Sequence, residues 1–176
     1  MFSGKTDALI ARYAQAQDEG RIAVAFKPAR DGRHAPDRIV SHSDHSIPAR
    51  AVASLQVGDD ADLVLIDEIQ FFGPELATAV DALRARGADV VAVGLDRDFR
   101  GELFETTASL ARDATAVRTL TGTCARCGAS ATHTQRLIDG VPAPLDAPRL
   151  VVGDAELYEP RCARCFAEER AAAPVR

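Results

Sequence analysis

Short apolar runs alternate with stretches of helical apolar spacing from the N-terminus to Leu120. Buried parallel strands are typically continuous apolar runs, whereas surface helices carry a single apolar stripe. The pattern predicts helices over residues 6–19, 73–87 and about 104–112. It predicts strands at residues 21–26, 63–66, 89–93 and 116–120, a short strand or half of a hairpin at 38–41, a loop at 27–37 and a partly helical or extended stretch at 47–56. This alternation predicts an α/β fold with a parallel sheet.

The composition of the chain changes after Thr121. Residues 124–165 contain all four cysteines, several prolines and an apolar Val151–Gly153 segment that predicts a strand. We therefore expect an α/β domain over residues 1–121, a small cysteine module over 122–168 and a fraying tail over 169–176.

Bulk properties restrict the classes of partner. The 176-residue chain has a net charge of −5, a pI of about 5.4 and no Trp. An acidic chain with few aromatic residues lacks the basic face and stacking platforms that hold nucleic acid nonspecifically. No apolar run approaches the roughly 20 residues that span a bilayer, and charged residues interrupt any signal peptide. These features predict a cytoplasmic protein with no nucleic-acid or membrane partner.

The chain opens with a hexapeptide that matches the second half of a phosphate-binding loop, Met1-Phe2-Ser3-Gly4-Lys5-Thr6. In the complete G-x-x-x-x-G-K-[ST] loop, backbone N–H groups cradle phosphates, the Lys reaches the outer phosphates and the hydroxyl helps to hold Mg²⁺. The alternative is an ordinary helix N-terminus capped by Thr6. The hexapeptide alone does not decide between the two.

A second motif supports the phosphate-binding interpretation. The apolar run Leu63–Ile66 ends in Asp67 and Glu68. A P-loop enzyme needs a carboxylate at a strand end near Mg²⁺ and a group that orients or deprotonates the attacking oxygen. Asp67 and Glu68 suit these roles, although they could instead cap the helix that begins near Pro74. Together the two motifs predict a P-loop NTPase-like sheet.

The cysteines form two C-x-x-C pairs, Cys124 with Cys127 and Cys162 with Cys165, separated by 34 residues. This spacing is typical of a structural zinc site, since four thiolates complete a tetrahedral shell and leave no open position. Two disulfides or two redox motifs are the alternatives, and a cytosolic compartment disfavours disulfides.

Other candidate ligands are weaker. We expect all four histidines to be solvated, although His133 is close enough to Cys127 in sequence to be a possible ligand. The histidines are His34, His42, His45 and His133. Four arginines in loops near predicted strand ends could meet phosphates, with solvated loops as the default; they are Arg30, Arg33, Arg97 and Arg100.

These motifs in combination resemble the thymidine kinases of the type II, zinc-containing class. The resemblance rests on Met-Phe-Ser-Gly-Lys-Thr, Asp-Glu-Ile-Gln-Phe-Phe, Gly-Leu-Asp-Arg-Asp-Phe and the paired C-x-x-C, and it extends from Met1 to about Phe166. It implies transfer of the γ-phosphate of ATP to the 5′-hydroxyl of thymidine, giving dTMP and ADP. It also implies Mg²⁺ with ATP, structural Zn²⁺, a homotetramer and dTTP as a feedback inhibitor.

The resemblance assigns roles to individual residues. Glu68 matches the general base. Nucleotide binding falls to the opening hexapeptide and to Asp67, Gln70, Asp31 and Arg33. The segment between the cysteine pairs matches a lasso that closes over the base. Contacts with the nucleoside fall to Phe71, Leu95, Phe99, Thr134, Val151, Val152, Gly153 and Tyr158.

The chain departs from the family pattern at two places. Relatives begin with a strand and a Gly turn ahead of the loop, whereas Met1 falls within the loop. We therefore expect an internal start codon or a fragment, and for the short form weak ATP binding and poor stability. An upstream reading frame without an apolar strand and Gly would contradict this. Asp154 also stands where many relatives have a second Gly.

Two other functions remain open at this point. One is a zinc-ribbon P-loop ATPase that acts on nucleic acid, although the acidic charge disfavours it. The other is a non-catalytic remnant that folds around zinc.

Overall fold

The computed structural model describes residues 2–32, 36–56, 58, 60–153 and 156–172. Its helices are α1 (Lys5–Asp18), α2 (Glu75–Ala85), α3 (Glu105–Asp113) and α4 (Ala163–Ala172), with a 3-10 helix at Ile69–Phe71. Its strands are β1 (Ala23–Pro28), β2 (Arg38–Val40), β3 (Ser46–Pro48), β4 (Arg50–Val52), β5 (Leu63–Ile66), β6 (Asp89–Ala92), β7 (Gly122–Thr123), β8 (Ser130–Ala131), β9 (His133–Ile138), β10 (Val141–Pro142) and β11 (Tyr158–Arg161).

The chain forms two compact units. The larger unit comprises Gly4–Asp96 and Glu105–Val117, and the smaller comprises Met1–Ser3, Arg97–Phe104 and Arg118–Arg176. Among the described residues, no helix combines the length and the apolar character that crossing a membrane requires.

A parallel four-stranded sheet in the order β4-β1-β5-β6 organises the larger unit. Its central strand β5 is buried at every position because all four of its residues are apolar. The register pairs Val24 with Val64 on one side and Leu65 with Val91 on the other. The α/β fold expected from the sequence is confirmed.

Alternate residues of β5 belong to two different hydrophobic clusters. Leu63 and Leu65 pack in a cluster with Leu9 of α1. Val64 and Ile66 pack in a cluster with apolar residues of α2, among them Leu76, Val80 and Leu83. Because successive side chains of a strand point to opposite faces, the two helices cover opposite faces of the sheet.

Most predicted elements of the larger unit are confirmed within a few residues. The stretch 47–56 is extended over Arg50–Val52 and continues a hairpin in which Ile39 pairs with Ile47. The strand predicted at 116–120 is wrong. Those residues are almost all exposed, and Val117 is 64% exposed. Their apolar side chains therefore gain too little burial to stabilise a strand in a sheet.

The smaller unit is built on an antiparallel sheet in the order β10-β9-β11 and a hairpin of β7 with β8. The strand predicted at Val151–Gly153 is wrong, since this segment is irregular. Residues 169–172, at the start of the expected tail, belong to α4.

Candidate active site

Two acidic residues follow the central strand β5. The backbone N–H of Asp67 donates to the Phe26 carbonyl at 2.9 Å, which continues the pairing of β5 with β1. The Asp67 side chain is buried and its Oδ1 accepts the backbone N–H of Glu68 at 2.9 Å. Its Oδ2 lies 3.5 Å from the hydroxyl of Thr6 in the first turn of α1. The structure therefore brings together two oxygen ligands of the kind that Mg²⁺ prefers.

The residue before α1 has a special backbone conformation. Gly4 is the residue before the helix and has a left-handed backbone, with φ of 75°. A side chain there would meet no neighbour, so it is the left-handed conformation, and not a lack of space, that favours glycine at this position. Thr6 lies inside the helix, and no side chain caps it. The capping interpretation of Thr6 is therefore wrong.

The alternative role of Asp67 and Glu68 as helix caps is also wrong. Helix α2 is preceded by Pro74 and has no side-chain cap. The 3-10 helix Ile69–Phe71 separates the acidic pair from it.

Glu68 has an unusual backbone. Its φ of 49° and ψ of 47° lie in the left-handed region, which costs a non-glycine residue about 1–2 kcal/mol. Such conformations concentrate at functional sites, where the surrounding structure enforces them. The Glu68 side chain accepts a hydrogen bond from Gln70 Nε2 at 2.5 Å.

The remaining candidates of the larger unit lie near the same end of the sheet. Gln70 Oε1 accepts the backbone N–H of Leu95 at 3.0 Å, and both Leu95 and Phe71 are half-buried. Asp31 is buried in the turn after β1. Met1 and Arg33 lie outside the described residues, as do His34 and Asp154.

One buried cation of the larger unit is not expected from the sequence pattern. Lys27, near the end of β1, is 3% exposed, and its Nζ donates to the Arg38 carbonyl at 3.2 Å. The only sequence signal is that this lysine directly follows the apolar residues of β1, at the start of the stretch 27–37 that is predicted as a loop.

In the smaller unit, the side chain of Phe99 is buried. It packs with Ala143 and Ala147, and the guanidinium groups of Arg100 and Arg136 lie 5.4 and 5.6 Å from its ring centroid. Arg100 also donates to the Ala147 carbonyl at 2.8 Å. The expectation of a solvated Arg100 is therefore wrong.

Other lasso residues contact one another within the smaller unit. Tyr158 donates its hydroxyl to the Val151 carbonyl at 2.8 Å. Thr134 is buried in β9 opposite Pro160 of β11. Val152 and Gly153 are half-buried, and a Cβ on Gly153 would lie 2.5 Å from the Leu157 side chain. Phe2 and Ser3, also half-buried, belong to this unit as well.

The four cysteines form a compact metal-binding group. All four sulfur atoms lie within 4.8 Å of one another, and Cys127 Sγ is 3.7 Å from Cys162 Sγ. Tetrahedral Zn–S bonds of about 2.3 Å require sulfur–sulfur distances of roughly 3.8 Å. All four are free thiols, three of them buried, so the disulfide alternative is wrong. The donor set therefore fits structural zinc.

The pKa values of two of the thiols, Cys124 and Cys165, are shifted in opposite directions. Burial raises the pKa of Cys124, but nearby backbone N–H groups, those of Cys162, Arg126 and Cys127, outweigh it and lower the value to about 6. Burial raises the pKa of Cys165 to about 12, and the neighbouring thiols add to the rise. Negative charges on neighbouring sulfur atoms repel one another, and a bound cation offsets this repulsion.

The histidines contribute no ligand to this group among the described residues. His42 and His45 are exposed, as expected. His133 is not simply solvated: its ring stacks on Phe166 with centroids 4.6 Å apart, and its Nδ1 lies 3.0 Å from the Thr132 hydroxyl.

Comparisons with known proteins agree on one family. A family model described as "Thymidine kinase" matches residues 1–166. A curated protein named "Thymidine kinase" from Pyrobaculum aerophilum is 43% identical over 174 residues, with 94% of each chain covered.

Proposed function

The chain belongs to the thymidine kinase family, and we propose that it transfers the γ-phosphate of ATP to the 5′-hydroxyl of thymidine, giving dTMP and ADP. The observation that carries the proposal is the group formed by Thr6, Asp67 and Glu68. Phosphoryl transfer depends chiefly on positioning and charge stabilisation, so a helix N-terminus, a lysine, Mg²⁺ and one carboxylate supply its chemical parts.

We propose that the opening loop holds the phosphates of ATP. Backbone N–H groups at the start of α1 and the ammonium group of Lys5 carry the positive charge that phosphate oxygens require. Thr6 and Asp67 would hold Mg²⁺, whose charge, when bound, offsets that of the phosphates. The resemblance adds Met1, Phe2, Ser3, Gly4, Gln70, Asp31 and Arg33 to the proposed nucleotide contacts.

Glu68 is the proposed general base. Its carboxylate would accept the proton of the 5′-hydroxyl as the oxygen attacks the γ-phosphorus. The placement of Glu68 directly after Asp67 supports this role, because the base must lie beside the metal-bound phosphate. The resemblance assigns the proposed thymidine contacts to Phe71, Leu95, Phe99, Thr134, Val151, Val152, Gly153 and Tyr158.

We propose that the zinc is structural. Cysteine supplies all four ligands, so the ion has no open position for a substrate. It would join the β7–β8 turn to the start of α4, because the two C-x-x-C pairs lie at these places. The domain division at residues 121 and 168 remains part of this proposal.

The setting of the enzyme is also proposed from the resemblance and the bulk charge. We expect a cytoplasmic homotetramer in DNA precursor synthesis, with dTTP as a feedback inhibitor and no nucleic-acid or membrane partner. Light scattering after size exclusion would measure the oligomer. Inhibition of dTMP formation by added dTTP would measure the feedback.

Labelled thymidine with Mg-ATP tests the proposed reaction. Label in dTMP supports the kinase. ATP hydrolysis that DNA stimulates, without dTMP, would instead identify a nucleic-acid ATPase, and neither activity would identify a non-catalytic remnant. The matched control is Glu68→Gln, which keeps the side-chain shape. We expect it to lower kcat by about 10²–10⁴-fold with ATP binding retained.

A further inference from the structure

The side chain of Gln70 lies between two residues of the proposed site. It is 5% exposed. Its Nε2 donates to Glu68 Oε2 at 2.5 Å, and its Oε1 accepts the backbone N–H of Leu95 at 3.0 Å. One buried carboxamide therefore joins the proposed base to a backbone group 25 residues further along the chain.

The two hydrogen bonds define the orientation of the carboxamide. A backbone N–H can only donate, so the Gln70 atom facing Leu95 must be the oxygen. The amino group then faces the Glu68 carboxylate, which can only accept when ionised. The reversed carboxamide would lose both bonds and place oxygen against oxygen.

The far end of this connection is itself held in place. The Leu95 carbonyl accepts a hydrogen bond from the Thr107 hydroxyl of α3 at 2.8 Å. The carboxamide also packs tightly against Gly94, where a Cβ would lie 2.6 Å from Gln70 Oε1. Any larger residue at position 94 would therefore displace the carboxamide, so Gly94 makes the arrangement possible.

The near end needs such support. A glutamate side chain has three rotatable bonds, and ordering it costs on the order of 1–2 kcal/mol of rotamer entropy. The left-handed backbone of Glu68 places this side chain on a local turn rather than on the rigid strand β5. A charge-assisted hydrogen bond from a buried, fixed donor limits the directions that the carboxylate can take.

We infer that Gln70 is a positioning residue that orients the Glu68 carboxylate by tying it to the Leu95 peptide. This inference rests on the proposed kinase reaction. It differs from the nucleotide-binding role that the resemblance assigns to Gln70. A nucleotide contact would act on the affinity for ATP, whereas a positioning residue acts on the catalytic step.

The kinetics of Gln70→Met and Gln70→Glu separate these roles. Methionine removes both hydrogen bonds at similar volume. Glutamate keeps an acceptor for Leu95 but replaces the donor that faces Glu68. We expect both variants to lower kcat for thymidine phosphorylation by about 10–100-fold at nearly unchanged KM for ATP. Gln17→Met, on the exposed surface of α1, is the matched control and should retain the parent kcat.

A double variant tests whether Gln70 acts through Glu68. In the Glu68→Gln background, Gln70→Met should lower the residual rate by less than about twofold, because its partner carboxylate is already gone. An equal fold loss in both backgrounds would overturn the inference, as would a raised KM for ATP at parent kcat. Absence of dTMP from the parent protein would overturn the proposed function, and this inference with it.

Discussion

The backbone of Glu68 provides a test of strain at the scale of a single residue. Glycine adopts a φ of 49° freely, whereas alanine pays about 1–2 kcal/mol for it. The greater freedom of glycine in the unfolded chain offsets roughly 0.5–1 kcal/mol of this difference. We therefore expect Glu68→Gly to be more stable than Glu68→Ala by about 0.5–1 kcal/mol in urea unfolding. A more stable alanine variant would mean that the left-handed backbone is absent in solution.

Gly94 allows a second residue-scale prediction. A Cβ at this position would lie 2.6 Å from both Gln70 Oε1 and Ile69 Cγ1. We expect Gly94→Ala to lower the free energy of unfolding by about 1–3 kcal/mol, as overpacking does. The control is Gly58→Ala, because a Cβ on Gly58 would meet no neighbour. Equal melting temperatures of the two variants would contradict the close packing of Gly94.

At the scale of the elements, buried and exposed valines separate true from false strands. Val64 in β5 is 1% exposed, whereas Val117, in the segment wrongly predicted as a strand, is 64% exposed. We expect Val64→Ala to cost about 1.5–3 kcal/mol, from lost apolar burial and a residual cavity. Val117→Ala should change stability by less than about 0.5 kcal/mol. A large loss at Val117, measured by urea unfolding, would show that residues 116–120 pack in the protein.

The same contrast explains what the sequence could predict. Continuous apolar runs located β1, β5 and β6, and helical spacing located the first three helices, because these patterns lie within the elements themselves. Residues 116–120 and 151–153 have strand-like composition without pairing in a sheet, and composition does not supply a partner. Tail residues up to Ala172 are helical despite their polar composition, with Phe166 of α4 buried.

For the candidate site, the sequence predicted what local spacing encodes. Each C-x-x-C pair is a contiguous motif, as is the acidic pair after β5. The structure brings the two C-x-x-C pairs together. The link from Glu68 through Gln70 to Leu95 was not predictable, because it depends on how two segments 25 residues apart pack. The burial of Lys27 and the contacts of the half-buried Arg100 with Phe99 and Ala147 were missed for the same reason.

At the scale of the whole molecule, the two units differ in what stabilises them. The larger unit has two extended hydrophobic clusters around its sheet. The clusters of the smaller unit are small, and one of them consists of Ala131 and three of the cysteines. Apolar burial is therefore limited in the smaller unit, and bound zinc would supply much of its folding free energy.

Zinc removal should consequently act on one unit more than on the other. We expect about one zinc per freshly purified, reduced chain, and its removal by a chelator under reducing conditions. Hydrogen exchange should then accelerate in β7, β8, β11 and α4, while β1 and β5 keep their protection because their clusters contain no metal ligand. Added Zn²⁺ should restore the protection, and Mg²⁺, which prefers oxygen ligands, should not. Equal acceleration in both units would contradict this division, and protein without zinc would contradict the metal site itself.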